Sequence, residues 1–101
     1  MTIYLRSWGD YNECLRNIEN NPVYCSLNLI RVFWYLKEQQ IISKLEAGNL
    51  AIQTFPTKYE SVIRKLLAQY QGKVNSLPKN YELNSLRVYI DNEVQRILKS
   101  N

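Results

Sequence analysis

A chain of 101 residues, 46% of them hydrophobic, has room for one domain built around one core. It contains no histidine, two cysteines and three glycines, which excludes Ser-His-Asp and Cys-His catalysis, His-containing or four-cysteine zinc sites, and Gly-rich phosphate loops. The formal net charge of +4 is scattered along the chain rather than clustered, so a nucleic-acid partner is disfavoured.

Residues 7–19 are expected to form the first helix. Ser7 or Asp10 offers an N-cap, and Tyr11, Cys14, Leu15 and Ile18 recur at 3–4 spacing. The six residues before it carry no comparable signal. Asn21-Pro22 then opens a second helix, Asn as a cap and Pro at the first turn, where a missing N–H costs nothing. The segment 22–38 is apolar on most faces, the pattern of a central, buried helix. Arg31 lies in its middle and must be paired or must face a polar cavity. The longest apolar run, Val32 to Leu36, is far shorter than the ~20 residues that span a bilayer, and no membrane partner is expected.

Ser43-Lys44-Leu45-Glu46 reads as a capping box that opens a third helix, ending near Phe55 ahead of Pro56. Thr57-Lys58-Tyr59-Glu60 reads as a second such box. It leads into a helix with Tyr59, Val62, Ile63, Leu66, Leu67 and Tyr70 along one face, and Gly72 suits its C′ position. A loop containing Pro78 precedes a last helix over 80–99, with Leu83, Leu86, Ile90, Val94 and Ile97 on its buried side. No strand-like alternation competes. The expected fold is all-α, an up-and-down bundle of about five helices forming a single domain over residues 1–101.

Little in this chain is suited to catalysis. Cys14 and Cys25 have no secretory leader before them and read as buried apolar residues of a reducing, cytoplasmic compartment. The only aspartates are Asp10 and Asp91; Asp91 and Glu93 lie on different helix faces, and no D-x-D pair exists to hold magnesium, so no metal site is expected. Arg31, Lys44 and Tyr70 stand out instead. Lys44 occupies a first helical turn, where free N–H groups and the positive end of the helix dipole also favour anions. Brought together by the bundle, the three would make an anion site. The alternative is structural: Arg31 paired with a glutamate, Lys44 solvated, Tyr70 in the core.

The segment Asn21–Gly72 carries NPVY, LNLIRVFWYLKE, ISKLEAG, FPTKYESVI and AQYQG in that order and without a gap. This closely resembles the C-terminal helical domain of the streptomycin/spectinomycin adenylyltransferase family, and the last helix, around Leu86–Leu98, fits the family more loosely. The resemblance implies a helical domain that closes over an N-terminal nucleotidyltransferase domain, with ATP and the aminoglycoside bound between them and AMP passed to a sugar hydroxyl. It implies that Arg31, Lys44 and Tyr70 contact the nucleotide. Where the family supplies a Trp and two Asp to hold the drug, this chain offers Asn12, Asn17, Asn21 and Tyr24, none of them a carboxylate. A second departure is Asn49-Leu50, where the family often carries an acidic residue and Trp.

On this reading the chain is the non-catalytic helical half of an antibiotic-modifying transferase, inactive alone. It would use ATP with Mg²⁺ only through a catalytic domain supplied in cis or in trans. That domain would dock on an exposed apolar patch, for which Trp8, Tyr24 and Trp34 are candidates. The second reading is a stand-alone helical binding or dimerisation module, a homodimer carrying a relic nucleotide site.

Overall fold

Helix α2 (Pro22–Glu38) is the axis of the molecule because nine of its residues, from Cys25 to Trp34, are buried. Around it pack α1 (Thr2–Asn17), α3 (Lys44–Thr54), α4 (Glu60–Tyr70) and α5 (Asn80–Ser100), each in contact with α2. This computed structural model describes residues 2–74 and 76–100, and residues 2–9 by their backbone alone. Among the described residues there is no strand, and the all-α expectation holds.

The junctions explain the path of the chain. At the start of α2, Pro22 takes the first turn as expected, but the Asn21 side chain makes no capping bond. The Asn21 backbone closes the corner instead: its N–H donates to the Asn17 carbonyl and its own carbonyl accepts from Cys25 N–H, at 3.0 and 2.9 Å. Ser43 does cap α3, its hydroxyl accepting from Glu46 N–H at 3.1 Å. The second capping box does not form. Thr57–Tyr59 is a single 3₁₀ turn, and Glu60 N–H donates to the Thr57 carbonyl rather than its hydroxyl. That backbone bond satisfies the donor the hydroxyl was expected to take, and the Glu60 carboxylate turns to Arg64 at 3.1 Å. Helix α4 ends as Gly72 predicts. At φ +74° Gly72 donates to the Gln69 carbonyl while Lys73 N–H reaches back to Ala68, the Schellman arrangement.

The first helix begins at Thr2, five residues ahead of the expectation. No proline interrupts the segment, and a nucleated helix propagates cheaply through residues that carry no capping or periodic signal. Positions 7 and 10 are therefore interior to α1 and not at its N-terminus.

The core is continuous across all five helices. An aromatic seam runs from Trp34 through Phe33, Phe55 and Tyr89 to Tyr59, with successive ring centroids 4.8–5.2 Å apart and mostly edge-to-face. It joins α2, the end of α3, α5 and the turn before α4. Trp34 is 6% exposed, so it belongs to this seam and not to a docking patch. Tyr24 is exposed, as a patch residue must be. The Trp8 side chain lies outside the described residues.

Candidate functional site

Arg31 leaves the buried face of α2 half-buried, at the point where the chain enters α3. Its Nε donates to the Ile42 carbonyl at 2.8 Å, which anchors the guanidinium to the backbone of the α2–α3 loop. No acidic side chain pairs with it among the described residues. The glutamate partner of the structural alternative is therefore not there. The guanidinium lines a cavity of about 180 Å³ together with Asp10, Tyr24, Asn28, Tyr35 and Lys44. Lys44 is in the first residue of α3, directly after the Ser43 cap, and its Nζ lies 5.0 Å from the centroid of the Tyr24 ring.

A second cavity, about 330 Å³, opens on the other side of Tyr24. It is walled by Asp10, Glu13 and Asn17 of α1, by Asn20 and Asn21 of the turn, and by Tyr24. Asp10 and Tyr24 line both cavities, so the two are adjoining halves of one depression between α1, α2 and the start of α3. One half carries Arg31 and Lys44. The other carries two carboxylates, three amides and no basic residue.

The structure thus brings Arg31, Lys44 and Tyr24 together, and Asn17, Asn21 and Tyr24 together. Asn12 is exposed and lines neither cavity. Tyr70, expected on the buried face of α4, is 49% exposed at its C-terminal end and is not among the residues lining the Arg31 cavity. Glu13 and Asp10 are wall residues that the sequence does not single out as binding residues: Asp10 offers a cap, as an alternative to Ser7, and no metal pair. Asp10, Glu13 and Asn17 stand at helical spacing on one face of α1, but which face of that helix borders a cavity is set by its packing against α2.

The tyrosine and the two thiols of this depression favour their protonated forms. Burial, reinforced by the nearby Asp10 charge, raises the Tyr24 phenol above its ordinary value. Burial also raises the Cys14 thiol and pushes Cys25 up to about 12, with the Cys14 side chain adding to the effect on Cys25. Both thiols are free and stay protonated near neutrality, so neither is a nucleophile. No group of three or more His, Cys, Asp or Glu placed to hold a metal ion occurs among the described residues, and no helix among them is long and apolar enough to cross a membrane. What the depression does offer is positive charge from Arg31 and Lys44 in one half and Glu13 in the other, with Asp10 and Tyr24 bordering both.

Among known families, the model described as aminoglycoside adenylyltransferase, C-terminal domain, matches residues 3–95. No curated protein and no solved structure matches.

Proposed function

The chain belongs to the aminoglycoside adenylyltransferase C-terminal domain family, and from that premise we propose that it is the helical half of an AMP-transferring enzyme, binding ATP on one side of Tyr24 and the acceptor on the other. The observation that carries this reading is the divided depression, with Arg31 and Lys44 in one half and Asn17 and Asn21 in the other.

The donor set suits a triphosphate. An arginine held by a backbone carbonyl, with no acidic partner among the described residues, keeps its remaining N–H groups for a phosphate, and Lys44 adds a point charge at a helix N-terminus. Tyr70 is assigned to the nucleotide by family resemblance; standing outside the cavity wall, it suits the base rather than the phosphates. Asn17, Asn21 and Tyr24 contribute hydrogen-bonding groups to the acceptor. The chemistry of transfer, in-line attack of a sugar hydroxyl on the α-phosphorus with magnesium-bound pyrophosphate leaving, belongs to a nucleotidyltransferase domain in cis or in trans. This chain's residues bind and orient; none of them moves a proton at the reacting atoms.

The test is reconstitution. Mixed with a nucleotidyltransferase domain of the family, the chain is expected to support transfer of labelled AMP from ATP to spectinomycin or streptomycin. Arg31→Ala and Lys44→Ala are expected to raise KM for ATP about tenfold or more, as loss of a charge-assisted phosphate contact does. A folded mixture that transfers AMP to neither drug, in a chain that also binds no ATP, would overturn the assignment.

A further inference from the structure

We propose that Cys14 of α1 and Cys25 of α2 form a dithiol site for a soft divalent metal ion, held in line between the two sulfurs. This goes beyond the adenylyltransferase reading and does not rest on it. The two cysteines of the chain are both free, and both line the 330 Å³ cavity. They form its floor: they are 2% and 3% exposed, whereas Asp10 and Glu13 stand exposed at its mouth. Each thiol is within hydrogen-bonding reach of the other, so two sulfurs from different helices converge on one point. Asn28, one turn beyond Cys25 on the same face of α2, donates its amide N–H to Cys14 Sγ at 3.9 Å. That donor would support a thiolate from the outer shell.

Ligand number and charge select the ion. Zinc wants four ligands, and no group of three or more His, Cys, Asp or Glu stands placed to hold a metal among the described residues. Two thiolates alone suit a soft ion content with two-coordination. Binding breaks two S–H bonds and forms two sulfur–metal bonds, and both protons pass to solvent. A dipositive ion thus replaces two protons with no change of charge at a buried site. A monovalent ion would leave a net negative charge there, within the field of Asp10 and Glu13. Mercury(II) meets both conditions. A linear sulfur–metal–sulfur unit is longer than a thiol–thiol contact, and the adjoining cavity gives the sulfurs room to part. The same burial that excludes bulky thiol reagents admits a bare ion, which the carboxylates at the mouth attract.

The experiment titrates the full chain with mercury(II) chloride against glutathione as competitor, following sulfur-to-mercury charge-transfer absorption and the protons released. One ion per chain and two protons per ion are expected. Cys14→Ser and Cys25→Ser should each weaken retention against glutathione about a hundredfold, because the second sulfur must then come from another molecule. Zinc(II) should not be retained. One ion per two chains, retention of zinc, or a parent that yields mercury as readily as the single variants would overturn the inference. Should a serine variant fail to fold, X-ray absorption on the mercury-loaded parent decides: a shell of two sulfurs supports the site, and a mixed sulfur–oxygen shell overturns it. The ATP measurements above are unaffected by either result.

Discussion

The Tyr11 hydroxyl donates a 2.7 Å hydrogen bond to Asp91 Oδ1, joining α1 to α5 across 80 positions of sequence. Tyr11 is fully buried. The bond gives Asp91 a structural role. It also fixes the rotation of α1, and with it the face that carries Asp10, Glu13 and Asn17. The wall of the acceptor cavity is therefore held from the far side of the bundle.

Removing that hydroxyl should be costly. Tyr11→Phe keeps the ring but leaves a partly buried carboxylate without its donor, a loss of about 1–2 kcal/mol for a bond to a charged group. In urea the midpoint should fall with the slope unchanged. An unaltered midpoint would mean that Gln95, which reaches the same oxygen at 3.4 Å, suffices for Asp91.

Alkali should unfold the chain before acid-sensitive groups matter. The Tyr11 phenol is raised far above its ordinary 10.0, first by burial and then by its bond to Asp91 and that residue's charge. The Cys25 thiol is raised from 9.0 to about 12, first by burial. A group whose folded value exceeds its unfolded one contributes stability that is complete below the unfolded value and is lost as pH rises beyond it. Stability should thus be level between pH 7 and 9, then decline through pH 9–12 by up to about 1.4 kcal/mol per pH unit for each such group. Cys25→Ala should blunt the first part of that decline, measured by denaturation at fixed pH.

The same thiols should resist reagents. Cys14 is 2% and Cys25 3% exposed, and both are held protonated. Ellman's reagent should label them in urea and scarcely in buffer at neutral pH. Fast labelling of the native chain would show that α1 opens away from α2.

Much of this was readable from residue order, and what escaped did so for physical reasons. Pro22, the Ser43 cap and Gly72 mark helix ends through local bonds within a few residues, so the sequence displays them. Thr57 does not cap because a tight backbone turn satisfies the same donor. Tyr70 has helical spacing that aligns it with Leu66 and Leu67, but it is the last residue of α4 and stands 49% exposed. Asp10 and Glu13 lie on the polar side of α1 in sequence, and only the packing of α1 against α2 turns that side into a cavity wall. The pairing of Arg31 with Lys44 across the α2–α3 loop depends on where Gln39 turns the chain, at φ 59°, which no periodicity encodes.

Gly48 of α3 packs directly against Leu67 of α4. A Cβ there would meet Leu67 Cδ2 at 2.6 Å, with two more atoms of the same side chain near 3 Å. Leu67 is 5% exposed and has little space to retreat. Gly48→Ala gains about 1 kcal/mol of helix propensity and loses about 1–3 kcal/mol to overpacking, so a net destabilisation is expected. Leu67→Ala made on top of it should cost less than Leu67→Ala alone, because the new methyl fills part of the space; additive losses in a double-mutant cycle would refute the contact.

Arginine at position 31 should not be exchangeable for lysine. Its Nε is committed to the Ile42 carbonyl at 2.8 Å, and only a guanidinium can make that bond and still present further donors to a phosphate. Lysine has one charged nitrogen. If it satisfies the carbonyl it is withdrawn from the cavity, and if it reaches the phosphate it releases the loop that positions Ser43 and Lys44. Arg31→Lys should therefore weaken ATP binding nearly as much as Arg31→Ala, by about tenfold, with folding stability little altered. A Lys variant that binds ATP like the parent would mean that charge alone recruits the phosphates and that the Ile42 anchor serves only to hold the α2–α3 loop.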